Sequence, residues 1–340
     1  MKTVGIVGLP GAGVTTIFTA LTAVEGSASQ RTHQAVVPVP DERLDVLGKL
    51  HDSKKIVHAQ LRFVEAGGLV RRGARGTGGA LSAELLGVLR ECDALLAVVR
   101  AFAGAEPADP ARELADLELE LVLADLASIS AKLERDAKAA RSGEAEAKRL
   151  VPILERAKEA LDQGTPLRDV DWSPEDRRDL VTLTPLSLKP IVVVANIGEG
   201  GAEGTVPDGA LEVSGALEAE VAGMAPDEAA ELLSSFGLTE RGLARVIRAV
   251  YDRLDLITFL TAGDKESRAW EVRQGASAPE AAGVIHSDFQ RGFIRAEVVD
   301  YDELVAAGGW PQAKAKGLIR QEGKGYVVRE GDVVEFRFAV

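Results

Sequence analysis

The stretch Val4-Gly5-Ile6-Val7-Gly8-Leu9-Pro10-Gly11-Ala12-Gly13-Val14-Thr15-Thr16-Ile17-Phe18 decides the fold. A short apolar run rich in Val and Ile breaks into a glycine loop and then resumes, which reads as strand, loop and helix. From Gly8 to Thr15 it follows the phosphate-loop template G-x-x-x-x-G-K-[ST] at every specified position but one. The glycines let backbone N–H groups curl around phosphate oxygens, and the helix N-terminus adds a partial positive charge. Gly8, Pro10, Gly11, Ala12, Gly13, Thr15 and Thr16 are the candidate phosphate-binding residues, with the Thr15 hydroxyl placed to ligate Mg²⁺. Val14 stands in the lysine position. That lysine makes a charge-assisted contact worth roughly 1.5–3 kcal/mol, so its loss predicts nucleotide binding weaker by about tenfold to a hundredfold.

Outward from the loop, Ala94 to Val99 and Ile191 to Ala195 read as strands buried on both faces, as in a parallel sheet. Ala35 to Val39, punctuated by Pro38 and Pro40, suits an edge or a strand end. Between the two buried strands, Asp109 to about Gly164 is dense in Ala, Leu, Glu, Lys and Arg. Leu114, Leu117, Leu121 and Ala124 repeat at three-four spacing, and the pattern restarts after Ser142-Gly143 with Leu150, Ile153, Leu154, Ala157 and Leu161. Two long helices folded antiparallel about the Ser-Gly break explain this. Their length and charge favour a protruding hairpin over helices packed flat on the sheet. Asp227 to Leu254 reads as helical, and from Asp255 aromatic and β-branched residues alternate with glycine turns, as in a small α+β domain. The expected division is 1–108 and 167–254 for the α/β body with its connecting helices, 109–166 for the hairpin and 255–340 for the last domain.

Composition narrows the function. The chain has 340 residues, 46% of them hydrophobic, with a net charge of −13. That length suits two or three domains with their own cores. The acidic balance argues against coating nucleic acid or DNA by bulk charge, leaving only local basic patches. The single cysteine, Cys92, cannot form an internal disulfide, and the N-terminal apolar run is too short for a signal peptide, so a cytoplasmic setting is expected. No stretch of about twenty apolar residues offers a membrane span. The histidines, His33, His51, His58 and His286, show no zinc-site spacing.

Gly5-Ile6-Val7-Gly8-Leu9-Pro10, Val37-Pro38-Val39-Pro40-Asp41-Glu42-Arg43-Leu44 and Leu188-Lys189-Pro190-Ile191-Val192-Val193-Val194-Ala195-Asn196 resemble the YchF family of Obg-related P-loop NTPases. So do Thr261-Ala262-Gly263, Arg268-Ala269-Trp270, and Ala281-Ala282-Gly283-Val284-Ile285-His286-Ser287-Asp288-Phe289 running on through Arg291 to Val298. The resemblance spans essentially the whole chain in one order. It implies an α/β fold: a P-loop NTPase G domain, an inserted α-helical coiled-coil hairpin and a C-terminal α+β TGS-like domain. It also implies a base-reading motif N-x-x-E, met by Asn196-Ile197-Gly198-Glu199, and hence a preference for adenine over guanine nucleotide. Ser214, Gly215 and Ala216 fall where the last nucleotide-contacting loop lies. A strand-end turn is the bland alternative for Asn196 to Glu199.

The catalytic half departs from that family. Glu65-Ala66-Gly67-Gly68 stands in place of D-x-x-G, so Glu65 joins Thr15 as a candidate Mg²⁺ residue through a side chain one methylene longer. Ala103 to Pro110 lacks the family's histidine, and Ser27 to Gln34 keeps Thr32 but not the usual first-switch residues. No catalytic residue is assigned, and the chain is expected to be at most a weak ATPase or GTPase. Arg71, Arg72 and Arg75 form a basic cluster that would meet RNA or a nucleotide phosphate, or is a solvated loop. Lys314, Lys316, Arg320 and Lys324 would add a basic rim to the last domain. The resemblance implies a regulator that binds adenine nucleotide with Mg²⁺ and contacts the ribosome or RNA. The alternative is an adaptor that binds protein or RNA without nucleotide.

Overall fold

The computed structural model describes residues 1–22, 33–65 and 81–339. The first part of the chain runs β1 (Lys2–Gly8), α1 (Val14–Thr22), β2 (His33–Pro38), α2 (Glu42–Leu50), β3 (Ile56–Val57), β4 (Gln60–Glu65), α3 (Ala83–Glu91) and β5 (Ala94–Ala101). The hairpin helices α4 (Pro110–Arg141) and α5 (Ala145–Asp162) follow, then α6 (Pro174–Val181), β6 (Ile191–Ile197), β7 (Leu211–Val213), α7 (Gly215–Val221), α8 (Pro226–Ser235) and α9 (Gly242–Arg253). One six-stranded sheet has the order β2-β4-β1-β5-β6-β7. β1, β5, β6 and β7 are mutually parallel, with Ile6 opposite Leu96 and Val98 opposite Val194. Leu95, Leu96, Ala97 and Val98 are wholly buried, as strands with both faces covered must be. Parallel pairing aligns the C-terminal ends of β1, β5 and β6, where loops gather and ligands bind in open α/β sheets.

The rest of the chain runs β8 (Leu256–Thr261), β9 (Ser267–Arg273), α10 (Ala278–Ile285), α11 (Ser287–Arg291), β10 (Phe293–Asp300), α12 (Tyr301–Ala307), α13 (Trp310–Ala315), β11 (Arg320–Glu322) and β12 (Asp332–Phe338). A second six-stranded sheet has the order β11-β10-β12-β8-β9-β3. Phe259, Phe293 and Phe336 centre its core, and Trp270 and Phe289 pack against them. Here the structure differs from the expected division. Residues 36–61 belong to the compact unit of 247–340 and Met1, while 2–35 and 62–246 form the other unit. The physical reason is pairing: Ile56 and Val57 lie parallel to Ser267 and Arg268, and the Ser53 hydroxyl donates to the Gly263 carbonyl at 2.6 Å. The Val-Pro-Val-Pro-Asp-Glu-Arg-Leu stretch thus has a structural task. Asp41 caps α2 and holds Arg43, which also pairs with Glu330, and Glu330 accepts the Thr258 N–H at 2.7 Å.

The hairpin turns at Ser142-Gly143, with Gly143 at φ +99°, and α5 stops before Gly164 at φ +77°. It does not protrude along its whole length. Leu117 and Leu121 of α4 pack with Leu85 and Leu89 of α3 and with Leu95 and Ala97 of the sheet, and only farther along do Val122 and Ile129 close with Leu150, Ile153, Leu154 and Ala157 of α5. Asp125 is the hinge of this arrangement. Its fully buried carboxylate accepts from Leu186 N at 2.9 Å, Ser187 N at 2.7 Å and the Ser187 hydroxyl at 2.7 Å. Burial pushes its carboxyl above the usual range in spite of these donors. Asp125→Ala would strand all three buried donors. It should destabilise the unit by about 3 kcal/mol, read as a lower midpoint in denaturant unfolding. Full stability in that variant would contradict this account of the hairpin's seat.

Candidate functional site

Between β1 and α1 the chain makes the turn that a phosphate loop needs. Gly11 and Gly13 both have φ +90°, a conformation that side-chain-bearing residues rarely adopt. Gly11 faces open space, whereas a Cβ on Gly13 would lie 2.2 Å from the Asn196 amide nitrogen. At Gly8 a Cβ would lie 2.5 Å from the Val98 carbonyl oxygen and 2.8 Å from Val14 Cγ2, so Val14 packs back against the end of β1. Thr15 and Thr16 are exposed on the first turn of α1, and Ala12 is buried beneath the loop.

Asn196, at the end of β6, ties the site together. Its side-chain N–H donates to the Ala12 carbonyl at 3.1 Å, and its side-chain oxygen accepts the Gly215 N–H at 3.0 Å. Its buried amide thus braces the phosphate loop against the loop before α7. Ser214 caps α7 through the Leu217 N–H, and Ala216 is exposed beside it. Beneath them Glu218, 2% exposed, pairs with Arg241 at 3.0 Å and accepts the Gly242 N–H, while Arg241 also donates to the Ala20 carbonyl. Glu199 stands exposed in a turn closed by Gly201 N donating to the Gly198 carbonyl at 3.1 Å, and Ile197 is half-buried. A cavity of about 210 Å³ lies beside that turn, lined in part by Ile197, Glu199, Ser214, Leu217, Phe236 and Arg245.

On the phosphate side the Thr15 hydroxyl donates to Glu65 Oε1 at 2.5 Å. Glu65 is only 1% exposed, and its Oε2 has no hydrogen-bond partner among the described residues. His33, buried at the start of β2, brings Nδ1 to 3.6 Å from that oxygen. Sequence reading passed over His33 as one of four scattered histidines, because the contact depends on β2 and β4 being sheet neighbours. Among the described residues no group of three or more His, Cys, Asp or Glu is placed to hold a metal. A hydroxyl next to an orphaned buried carboxylate oxygen nonetheless fits a divalent cation, since an unpaired buried carboxylate oxygen is costly.

The loop after β5, where a histidine was expected and is lacking, is held by Arg100. Its guanidinium donates to the carbonyls of Phe102, Glu106 and Pro107. Thr32, Gly67, Gly68, Arg71, Arg72 and Arg75 lie outside the described residues. The candidates on the last unit serve it internally. Arg320 donates to Asp332 at 3.3 Å and to the Tyr326 hydroxyl at 3.2 Å, leaving Lys314, Lys316 and Lys324 exposed. His286 caps α11 by accepting the Asp288 N–H. Cys92 is buried, and burial pushes its thiol up to about 11, which keeps it unreactive.

A Bacillus subtilis "ribosome-binding ATPase YchF" is 37% identical over 367 residues, covering 99% of both chains. The chain belongs to the YchF family. An "Obg-like ATPase 1" from Oryza sativa is 35% identical over 372 residues, with 99% of this chain and 92% of that one covered. The family model for the C-terminal YchF domain, described as a protein of unknown function (DUF933), matches residues 256–339. The structure titled "YchF GTPase" from Schizosaccharomyces pombe superposes with a TM-score of 0.85 at 29% identity, covering 99% of this chain and 97% of that one. The fold is therefore the α/β YchF fold with its inserted helical hairpin. The bacterial and plant relatives are called ATPases and the yeast structure a GTPase.

The brace predicts its own test. Asn196→Asp keeps size and shape but sets a carboxylate oxygen against the Ala12 carbonyl where an N–H now donates. It should lower stability by about 1–3 kcal/mol, measured by thermal or denaturant unfolding. Unchanged stability would mean the loops hold their positions without the amide.

Proposed function

We propose that this YchF protein is a nucleotide-responsive regulator that binds adenine nucleotide in preference to guanine, hydrolyses it very slowly or not at all, and contacts the ribosome. The observation that carries the reading is the pairing of a formed phosphate loop, braced by Asn196 and with Thr15 bonded to Glu65, with an aliphatic Val14 in the lysine position. The backbone of Gly8 to Thr16 would take the phosphates. Thr15 and Glu65 would hold Mg²⁺, which neutralises phosphate charge when bound. Hydrolysis needs more than binding, because charge grows on the β–γ bridging oxygen. Arg100 does not supply it, since its guanidinium is engaged by loop carbonyls and it lies within reach of Glu113.

Adenine preference rests on Ile197 and Glu199, which replace the lysine and aspartate of guanine-reading sites. Glu199 is exposed and open to solvent, a looser reader than a buried carboxylate. Ribosome contact rests on the names of the relatives. The exposed Lys314, Lys316 and Lys324 offer one local basic surface for it. The second reading, an adaptor that uses the G domain without nucleotide, is favoured by Val14 and by Glu65 in place of the family's aspartate.

Calorimetric titration with ATP, ADP, GTP and GDP, with and without Mg²⁺, separates these readings. ATP and ADP should bind more tightly than GTP and GDP; the reverse order would end the adenine assignment, and no binding at all would favour the adaptor. Val14→Lys should tighten triphosphate binding by about tenfold or more, from a contact of roughly 1.5–3 kcal/mol. Turnover should recover less than affinity. Hydrolysis by the unmodified chain near 1 s⁻¹, an ordinary enzyme rate, would show that another group supplies the missing charge. For the ribosome, co-sedimentation should be strong at low salt and fall as salt rises.

A further inference from the structure

We propose that the cavity beside α7 is a docking pocket for a partner protein, taking an aromatic side chain flanked by lysine or arginine. Its volume is about 210 Å³, and its apolar lining is Val213, Leu217, Phe236 and Leu238. Neither Asn196 nor any residue of the phosphate loop lines it, so it is separate from the phosphate site. Val213 and Leu217 are buried, whereas Phe236 is 46% exposed and Leu238 38%. The turn that ends α8 holds both exposed side chains on the cavity. Gly237, at φ +73°, donates to the Ser234 carbonyl at 2.9 Å, and Leu238 N donates to the Leu233 carbonyl at 3.0 Å. Leu233 in turn packs with Leu217 and Val221 of α7. A buried apolar interior with large apolar side chains left open to solvent is where an aromatic anchor gains most by leaving water.

The polar lining determines what flanks the anchor. Four carboxylates, Glu199, Glu212, Glu218 and Glu240, line the cavity against one guanidinium, Arg245. Glu218 is neutralised by Arg241. The acidic surplus that remains attracts ammonium and guanidinium groups and repels acidic segments. Arg245 supplies a further contact. Its Nη2 donates to the Glu212 carbonyl at 2.8 Å, but its buried Nε–H has no hydrogen-bond partner among the described residues. A buried donor left unpaired is costly, and a peptide carbonyl next to the anchor would satisfy it. Ring, adjacent carbonyl and flanking cation together are the chemistry of a basic peptide segment; a free aromatic amine offers no carbonyl. The inference does not rest on nucleotide being bound.

The test titrates the full chain, without nucleotide, with a labelled, end-blocked Gly-Lys-Trp-Lys-Gly peptide followed by fluorescence anisotropy. Saturable binding that weakens as salt is added is expected. Alanine in place of the peptide's tryptophan should weaken binding by about tenfold or more, the loss of an anchor. Glutamates in place of its lysines should abolish binding. Phe236→Ser and Leu238→Ser, at exposed positions, and Arg245→Lys, which keeps the charge but removes the Nε–H, should each weaken it about fivefold or more. All three variants are checked for native unfolding midpoints. Equal affinity for the tryptophan and alanine peptides, or wild-type affinity in Phe236→Ser, overturns the proposal. So does competition by tryptamine as tight as the peptide, which would mark a small-molecule pocket. Titration with ATP and Mg²⁺ in parallel keeps the nucleotide reading apart. Peptide binding without ATP binding supports the docking pocket and removes the nucleotide reading; ATP binding without peptide binding does the opposite. Loss of both in Phe236→Ser would assign the cavity to nucleotide and end the docking proposal.

Discussion

The side-chain amide of Asn196 is the contact on which the site depends. It joins backbone groups 184 and 19 residues away in sequence, the Ala12 carbonyl and the Gly215 N–H, and it does so buried, where each hydrogen bond is strengthened and each loss costly. Its position dictates two glycines. A Cβ on Gly13 would strike its nitrogen, and one on Gly215 would sit 3.0 Å from its oxygen and 3.1 Å from Ile17. Gly13, Asn196 and Gly215 are therefore one packing unit, and none can change without moving the others. Glu218, on α7 itself, pairs with Arg241 just before α9, and Arg241 ties this helix to α1 through the Ala20 carbonyl. The loops at the ends of β1 and β6 are thus held in place by the protein's own contacts.

What the loop lacks is charge. Val14 contributes an apolar contact to Gly8 where a phosphate-binding site elsewhere would extend an ammonium, so on the proposed reading the loop itself attracts phosphate through its backbone N–H groups and the α1 N-terminus. Those dipoles act on ground state and transition state in much the same way. Binding that does not rise toward the transition state lowers the dissociation constant without speeding the reaction. On the proposed reading, a braced, lysine-free loop is a better sensor than a catalyst.

Much of this was legible in the sequence, and the boundary falls between local and non-local information. The loop could be read because strand, glycines and helix follow one another within a few residues. The strands at Ala94 and Ile191 could be read because burial on both faces leaves an unbroken apolar run, and the hairpin because its leucines keep helical spacing on each side of Gly143. The grouping of residues 36–61 with the last unit could not, since it rests on two residues, Ile56 and Val57, pairing with a strand 211 residues away. Asp125 reads in the sequence as one more acid on a charged helix; only the fold places Leu186 and Ser187 above it. His33 is the same case, because nothing local marks a histidine that meets Glu65 across a sheet.

Glu65 also changes meaning once its surroundings are known. In the sequence it is an aspartate lengthened by one methylene, and the extra length looks like damage to a metal site. In the structure Oε1 accepts a hydrogen bond from the Thr15 hydroxyl at 2.5 Å. A threonine hydroxyl has one proton and two lone pairs. With the proton committed to Glu65, the lone pairs of the exposed Thr15 oxygen are left for a cation or for a donor at the loop mouth. The same bond turns Oε2 toward His33. The longer acid thus holds the Thr15 hydroxyl with one oxygen and lies beside the buried His33 ring with the other.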